Sequence, residues 1–165
     1  MMFWELVRDA LLAAVAAIGF GAVSDPPKRA FLRIAILAAV GHALRFYMMN
    51  YRGYDIVTSS FIAAFVVGLG AVWVGKHIYC PSSVLFIPAL LPMIPGMYAY
   101  RTAYAMILFV QNLSNPDVQD LYLNMLFYNG LVTCGVVFML GVGGTLPMVI
   151  FARRAFTMTR HDGNQ

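Results

Sequence analysis

Residues 88–101 read P-A-L-L-P-M-I-P-G-M-Y-A-Y-R, a run of helix breakers that ends on a permanent charge. Pro88, Pro92 and Pro95 stand four and three residues apart, the spacing of one helix face. Each removes a backbone donor and crowds the carbonyl one turn earlier. Gly96 adds freedom for a left-handed or extended residue. In hydrocarbon a freed backbone group is tolerated only where protein buries it or a watery cavity meets it. The segment is therefore expected to interrupt a helix at membrane depth and to avoid lipid. A half-helix restarting near Met97 would aim free N–H groups and a partial positive charge at the interruption, with Tyr98, Tyr100 and Arg101 in its first turns. Those donors and the guanidinium fork suit a carboxylate. Pro92, Pro95, Gly96, Tyr98, Tyr100 and Arg101 are thus the candidate substrate-binding residues. The alternatives are a kinked helix packed against its neighbours, and an Arg101 that snorkels to the interface or pairs with a structural acid.

A second group is G-H-A-L-R, residues 41–45. His42 and Arg45, three apart, share a helix face. Histidine changes charge near neutral pH, so His42 is a candidate for proton coupling, with Arg45 beside it in coupling or gating. The alternative is a His42 hydrogen-bonded to a neighbouring helix and an Arg45 that snorkels outward. Two acids, Asp9 and Asp55, are near enough to partner an arginine, though each is also close to a span end. No C-x-x-C or H-E-x-x-H spacing, acyl-transfer triad or phosphate-cradling glycine loop occurs. No catalytic residue, metal or cofactor is expected, and an enzyme is disfavoured. Cys80 and Cys134 imply no disulfide framework.

The elements that must position these residues follow from composition. Hydrophobic residues make up 61% and charged residues 11% of the 165-residue chain, too few charges to cover so much apolar surface in water. Apolar stretches of about 20 residues are each long enough to cross a bilayer. The reading is an all-α integral membrane protein in a single transmembrane domain, residues 1–156. Its five spans lie at 4–23, 30–49, 56–75, 82–110 and 121–151, and residues 157–165 form a short polar tail. The fourth span carries the break. The fourth and fifth are long enough that they must tilt, break or emerge. Glycines at 19, 21, 68, 70, 141, 143 and 144 suit close helix approach, and Trp4, Tyr47, Tyr51, Tyr54, Trp73 and Tyr79 suit interface anchoring. The net charge of +4 is read as topology, with no nucleic-acid partner implied. Placing Lys28, Arg29, Arg33, Lys76, Arg153, Arg154 and Arg160 in the cytoplasm favours an N-out, C-in orientation. A broken helix beside an intramembrane charge is where transporters place solutes. A non-transporting scaffold or assembly subunit, whose broken helix only shapes an interface, is the alternative.

The two segments together resemble a known family. G-H-A-L-R following I-G-F-G-A-V and P-K-R-A-F, then P-A-L-L-P-M-I-P-G-M-Y-A-Y, is similar to the C-terminal membrane module of the threonine/serine exporter (ThrE) family. The resemblance spans about residues 5 to 155, and P-x-x-P-G-x-x-A-Y is its more specific element. Within the family the chain looks like the free-standing small subunit of the split form, the YjjB type of the YjjP/YjjB pair. The resemblance implies a five-span half of a ten-span inverted-repeat exporter in the bacterial inner membrane. A larger five-span subunit would supply the other half, and threonine, serine or succinate would be the cargo. A homo-oligomer of the small subunit around its partner is compatible with it. Arg101, one residue past A-Y, is assigned from its chemistry and not from the resemblance.

Overall fold

A computed structural model describes residues 2–24, 26–113 and 115–151. The tail at 157–165 and the basic residues Arg153, Arg154 and Arg160 lie outside them. The described chain is helical: α1 (Met2–Val23), α2 (Lys28–Tyr51), α3 (Ile56–Ile78), α4 (Ser82–Leu90), a 3-10 turn (Leu91–Met93), α5 (Gly96–Gln111) and α6 (Pro116–Ile150). Helices α1, α2, α3 and α6 are each long and apolar enough to cross a membrane, and α4 and α5 qualify as one interrupted pair. The expected all-α architecture is therefore observed, with four helices that could span a membrane, or five if the bent α4–α5 pair is one interrupted span.

Helix ends obey local rules. Asp55 precedes α3, and its Oδ2 accepts from Thr58 N–H at 2.8 Å, an N-cap that satisfies an orphan donor. These hydrogen bonds hold the Asp55 carboxyl below its ordinary range. Tyr79 closes α3 in the left-handed conformation, with φ 51. The connection left at 111–120 between the fourth and fifth expected spans is shorter than that, because α6 already begins at Pro116. Proline at the first helical position loses no hydrogen bond, since that N–H would be unpaired anyway. The 35 residues of α6 measure about 52 Å at 1.5 Å per residue, well beyond the roughly 30 Å of hydrocarbon. Pro147 sits inside it without ending it.

The chain divides into two compact units. The first holds α1 to α4, the 3-10 turn and the C-terminal part of α6 from Met139. In it α2 is central, packed on α1, α3 and α4, while α4 also touches α1 and α3. Small residues make these contacts: Ala13, Ala17 and Gly21 on α1, Ala30, Ala38 and Gly41 on α2, Ser60, Ala64, Gly68 and Ala71 on α3 are all buried. Lipid tails are as apolar as leucine, so close backbone approach at these small residues helps the helices associate, with Ile34, Leu85, Phe86 and Met93 also packed inside. A Cβ added at Gly68 would lie 2.5 Å from the Gly144 carbonyl oxygen, and one at Gly143 would lie 2.7 Å from that of Phe61. Gly19 and Gly141, by contrast, face nothing within 4 Å. Many other large apolar side chains, Leu11, Val15, Leu32 and Trp73 among them, are exposed, as a lipid-facing surface requires.

The second unit, Ile94–Phe138, pairs α5 with the first part of α6. A Cβ added at Gly130 would stand 3.6 Å from Thr102 Cγ2, ordinary van der Waals contact. Ala105 and Asn129 are buried, and the Asn129 amide donates to Met125 O at 2.7 Å along its own helix.

Candidate functional site

The interruption forms where the prolines place it. Helix α4 accepts Pro88 in its interior and passes into a single 3-10 turn at Pro92. The chain then leaves helical geometry at Pro95, with φ −80 and ψ 68. A continuing helix would have paired Met93 O with the N–H of Met97. With the chain turned at residues 94–95, that carbonyl is freed, and Arg45 takes it: Nη1 donates to Met93 O at 2.6 Å. A charged donor on an exposed carbonyl is one of the stronger ways to satisfy backbone in a dry interior. Arg45 therefore reaches inward, and the snorkelling alternative does not hold for it. Gly41, one turn earlier on α2, brings the helix close to the same residue: a Cβ there would lie 2.7 Å from Met93 Cε and 2.5 Å from Val67 Cγ2.

His42, beside Gly41, faces α1. Its Nδ1 lies 3.0 Å from Asp9 Oδ2, with the two side chains 16% and 39% exposed. The other ring nitrogen, Nε2, is sealed from solvent and has no hydrogen-bond partner among the described residues. Asp9, His42 and Arg45 line one pocket of about 190 Å³ with Phe46, Met49 and Asn50. An acid, an imidazole and a guanidinium thus meet beside the break. Asp9, expected either to partner an arginine or to lie near a span end in solvent, instead contacts the histidine. The available signal was Asp9 as the innermost acid of the first span, and His42 as the one histidine within the second.

In the second unit, the first turns of α5 carry the other candidates. Pro95 is buried, Tyr98 is half-buried, and Tyr100 and Arg101 are exposed; Pro92, in the first unit, is half-buried. Tyr100 stacks on Tyr104 with ring centroids 6.2 Å apart. The donor-rich N-terminus expected here is partly spent on itself. Gly96 N–H donates to Ile94 O at 2.8 Å, and the N–H groups of Tyr98 and Ala99 both donate to Pro95 O. Gly96 is also not the left-handed residue its position suggested. Among the described residues only Gly53 and Tyr79 have positive φ. Gly96 instead starts the helix with an ordinary backbone, and open space surrounds the place where a Cβ would stand. Its absent side chain leaves that first turn uncovered.

The profile of the family described as "Threonine/Serine exporter, ThrE" matches residues 9–150. The chain belongs to the threonine/serine exporter family. No solved structure matches it. The match begins at Asp9 and ends with α6, so this exporter-family chain carries the Asp9–His42 pair, the Arg45–Met93 bond and the α4–α5 interruption all within the shared region. Membership implies membrane-integral transport of the exporter type, acting on small substrates across a lipid bilayer. Burial pushes the Cys80 thiol up, against a smaller opposing pull from Arg29, which makes it a poor thiolate. No cluster of metal-binding side chains occurs among the described residues.

Proposed function

We propose that this chain is the small subunit of a secondary-active exporter of small carboxylates or amino acids, of the succinate or threonine/serine class, in the bacterial inner membrane. The chain is inserted N-out and C-in, works with a larger five-span subunit, and is driven by the proton gradient. The candidate solute-binding residues are Pro95, Gly96, Tyr98, Tyr100 and Arg101 of the second unit, and Pro92 at the end of the first. His42 and Arg45 couple proton movement to solute binding. The observation that carries the reading is the bond from Arg45 to the freed Met93 carbonyl, one helical turn from an ionisable pair. It ties a group that can change charge to the backbone that must move if the broken helix is to open and close. The chain performs no covalent chemistry.

The same bond supports a second reading. A break whose carbonyl is satisfied from within also suits a scaffold or assembly subunit that shapes an interface and carries nothing. Co-reconstitution separates the two. The chain and its larger partner, placed together in proteoliposomes under an imposed pH gradient, should release labelled threonine or succinate; either subunit alone should not. Formation of a stable complex without efflux of either substrate class would leave the scaffold.

A further inference from the structure

We propose that Asp9 and His42 act as one proton-binding unit, and that a proton arriving at His42 Nε2 requires the pocket around it to open. Asp9 is then a positioning residue for the coupling step, which rests on the export reading given above. In the 3.0 Å contact Asp9 fixes the imidazole through Nδ1. With Nδ1–H donated to the carboxylate, Nε2 is the nitrogen left to take a further proton. That atom is sealed and unpartnered in the described conformation. A bare lone pair can remain there; a charged N–H with no acceptor is far more costly.

The surrounding charges point the same way. Asp9 and the Arg45 guanidinium line the same pocket as His42, so a proton on Nε2 would add positive charge to a pocket that already holds a guanidinium. On α1 the nearest ionisable groups are Arg8, next to Asp9, and Glu5, one turn before it; on α2 Lys28, Arg29 and Arg33 lie in its first two turns and Arg52 just past its end. Helix α3 carries Lys76 and His77 only in its last turn, with Asp55 just before its start; α4, the 3-10 turn and residues 139–150 carry none. On α1, Glu5 and Arg8 line a separate pocket with Trp4. The described conformation therefore suits the proton-free pair, and protonation selects a different one. The nearest element able to respond is the interruption, because Arg45 holds Met93 O and Gly41 leaves no slack against the same residue.

Two measurements test this. The first needs no transport: imidazole ¹⁵N NMR of the full chain in lipid, with His42 identified by its loss in His42→Gln. The wild type should show the Nδ1–H tautomer when neutral, and Asp9→Leu should convert it to Nε2–H. An unchanged tautomer overturns the pairing. The second is efflux by the complex with its partner, between about pH 6 and 8. His42→Gln and Asp9→Asn should each flatten the pH profile and cut efflux about tenfold, and the double variant should be no worse than either, as a coupled pair requires. Asp9→Glu should restore a pH-dependent profile. Losses that multiply in the double variant, or an Asp9→Asn profile like the wild type's at equal membrane level, overturn the shared role. Absence of efflux by the wild-type complex removes the export reading and the coupling role with it, whatever the tautomer shows.

Discussion

Arg45 carries its charge into the bundle because the interruption gives it a carbonyl to hold. A guanidinium presents several donors in a fixed plane, so it spans from α2 to Met93 O without giving up its other contacts. Removing it leaves that carbonyl unpaired in a dry place. Arg45→Ala should destabilise the purified chain in detergent by about 1.5–3 kcal/mol, the scale of a hydrogen bond to a charged group. Thermal unfolding of the detergent-solubilised protein measures it, and an unchanged midpoint would show the bond to be dispensable. Asp55 gives a second residue-scale case, outside the spans. As the N-cap of α3, its replacement by Ala should cost about 1 kcal/mol. Its carboxyl is held below the ordinary value by the Thr58 hydrogen bonds. The cap's contribution is therefore complete above the unfolded carboxylate value of about 3.9, and it fades as pH falls through the lower folded one. Asp55→Ala should show a smaller stability loss on acidification through that window than the wild type does. Equal acid sensitivity in the two would mean that the cap adds nothing.

At the scale of elements, the sequence showed where helices must stop but not which faces meet. Three prolines in eight residues located the interruption, and the restart fell at Gly96, one residue before the position expected. The start of α6 was harder to read, because N-P-D looks like a turn yet also suits a first helical turn. The Asp9–His42 contact was out of reach because α1 and α2 are small-residue helices with no strong amphipathic signal to fix their rotation. Glycines posed the same problem. Gly68 and Gly141 look alike in sequence, yet one abuts a backbone oxygen and the other faces nothing. Gly68→Ala should thus push α3 off the C-terminal part of α6 and cost about 1–3 kcal/mol, since a carbonyl cannot rotate away as a flexible side chain can. Gly141→Ala should be neutral or slightly stabilising, because helix propensity rises and nothing is displaced. Thermal unfolding of both variants in one detergent decides it, and equal losses would mean that this close approach is not what holds the helices.

For the whole molecule, the interruption also decides the parity of the chain in the membrane. Lys28, Arg29 and Arg33 at the start of α2, and Lys76 at the end of α3, mark one end of consecutive antiparallel helices. Placing that end in the cytoplasm puts the Arg52 connection outside. From there the outcome depends on α4 and α5. If they make one interrupted crossing, α6 returns the C-terminus to the cytoplasm; if they dip in and come back as a re-entrant loop, it ends outside. An odd number of crossings is also what a half-transporter needs if it is to complement a partner inserted the other way round. Two reporters read this directly. Alkaline phosphatase fused after Arg52 should be active, which fixes the N-terminal part as N-out. Green fluorescent protein fused after Gln165 should fluoresce, and phosphatase at the same place should be silent. An active phosphatase at both positions would turn the fourth span into a loop, and the chain would then lack the odd parity that pairing with an oppositely inserted half demands.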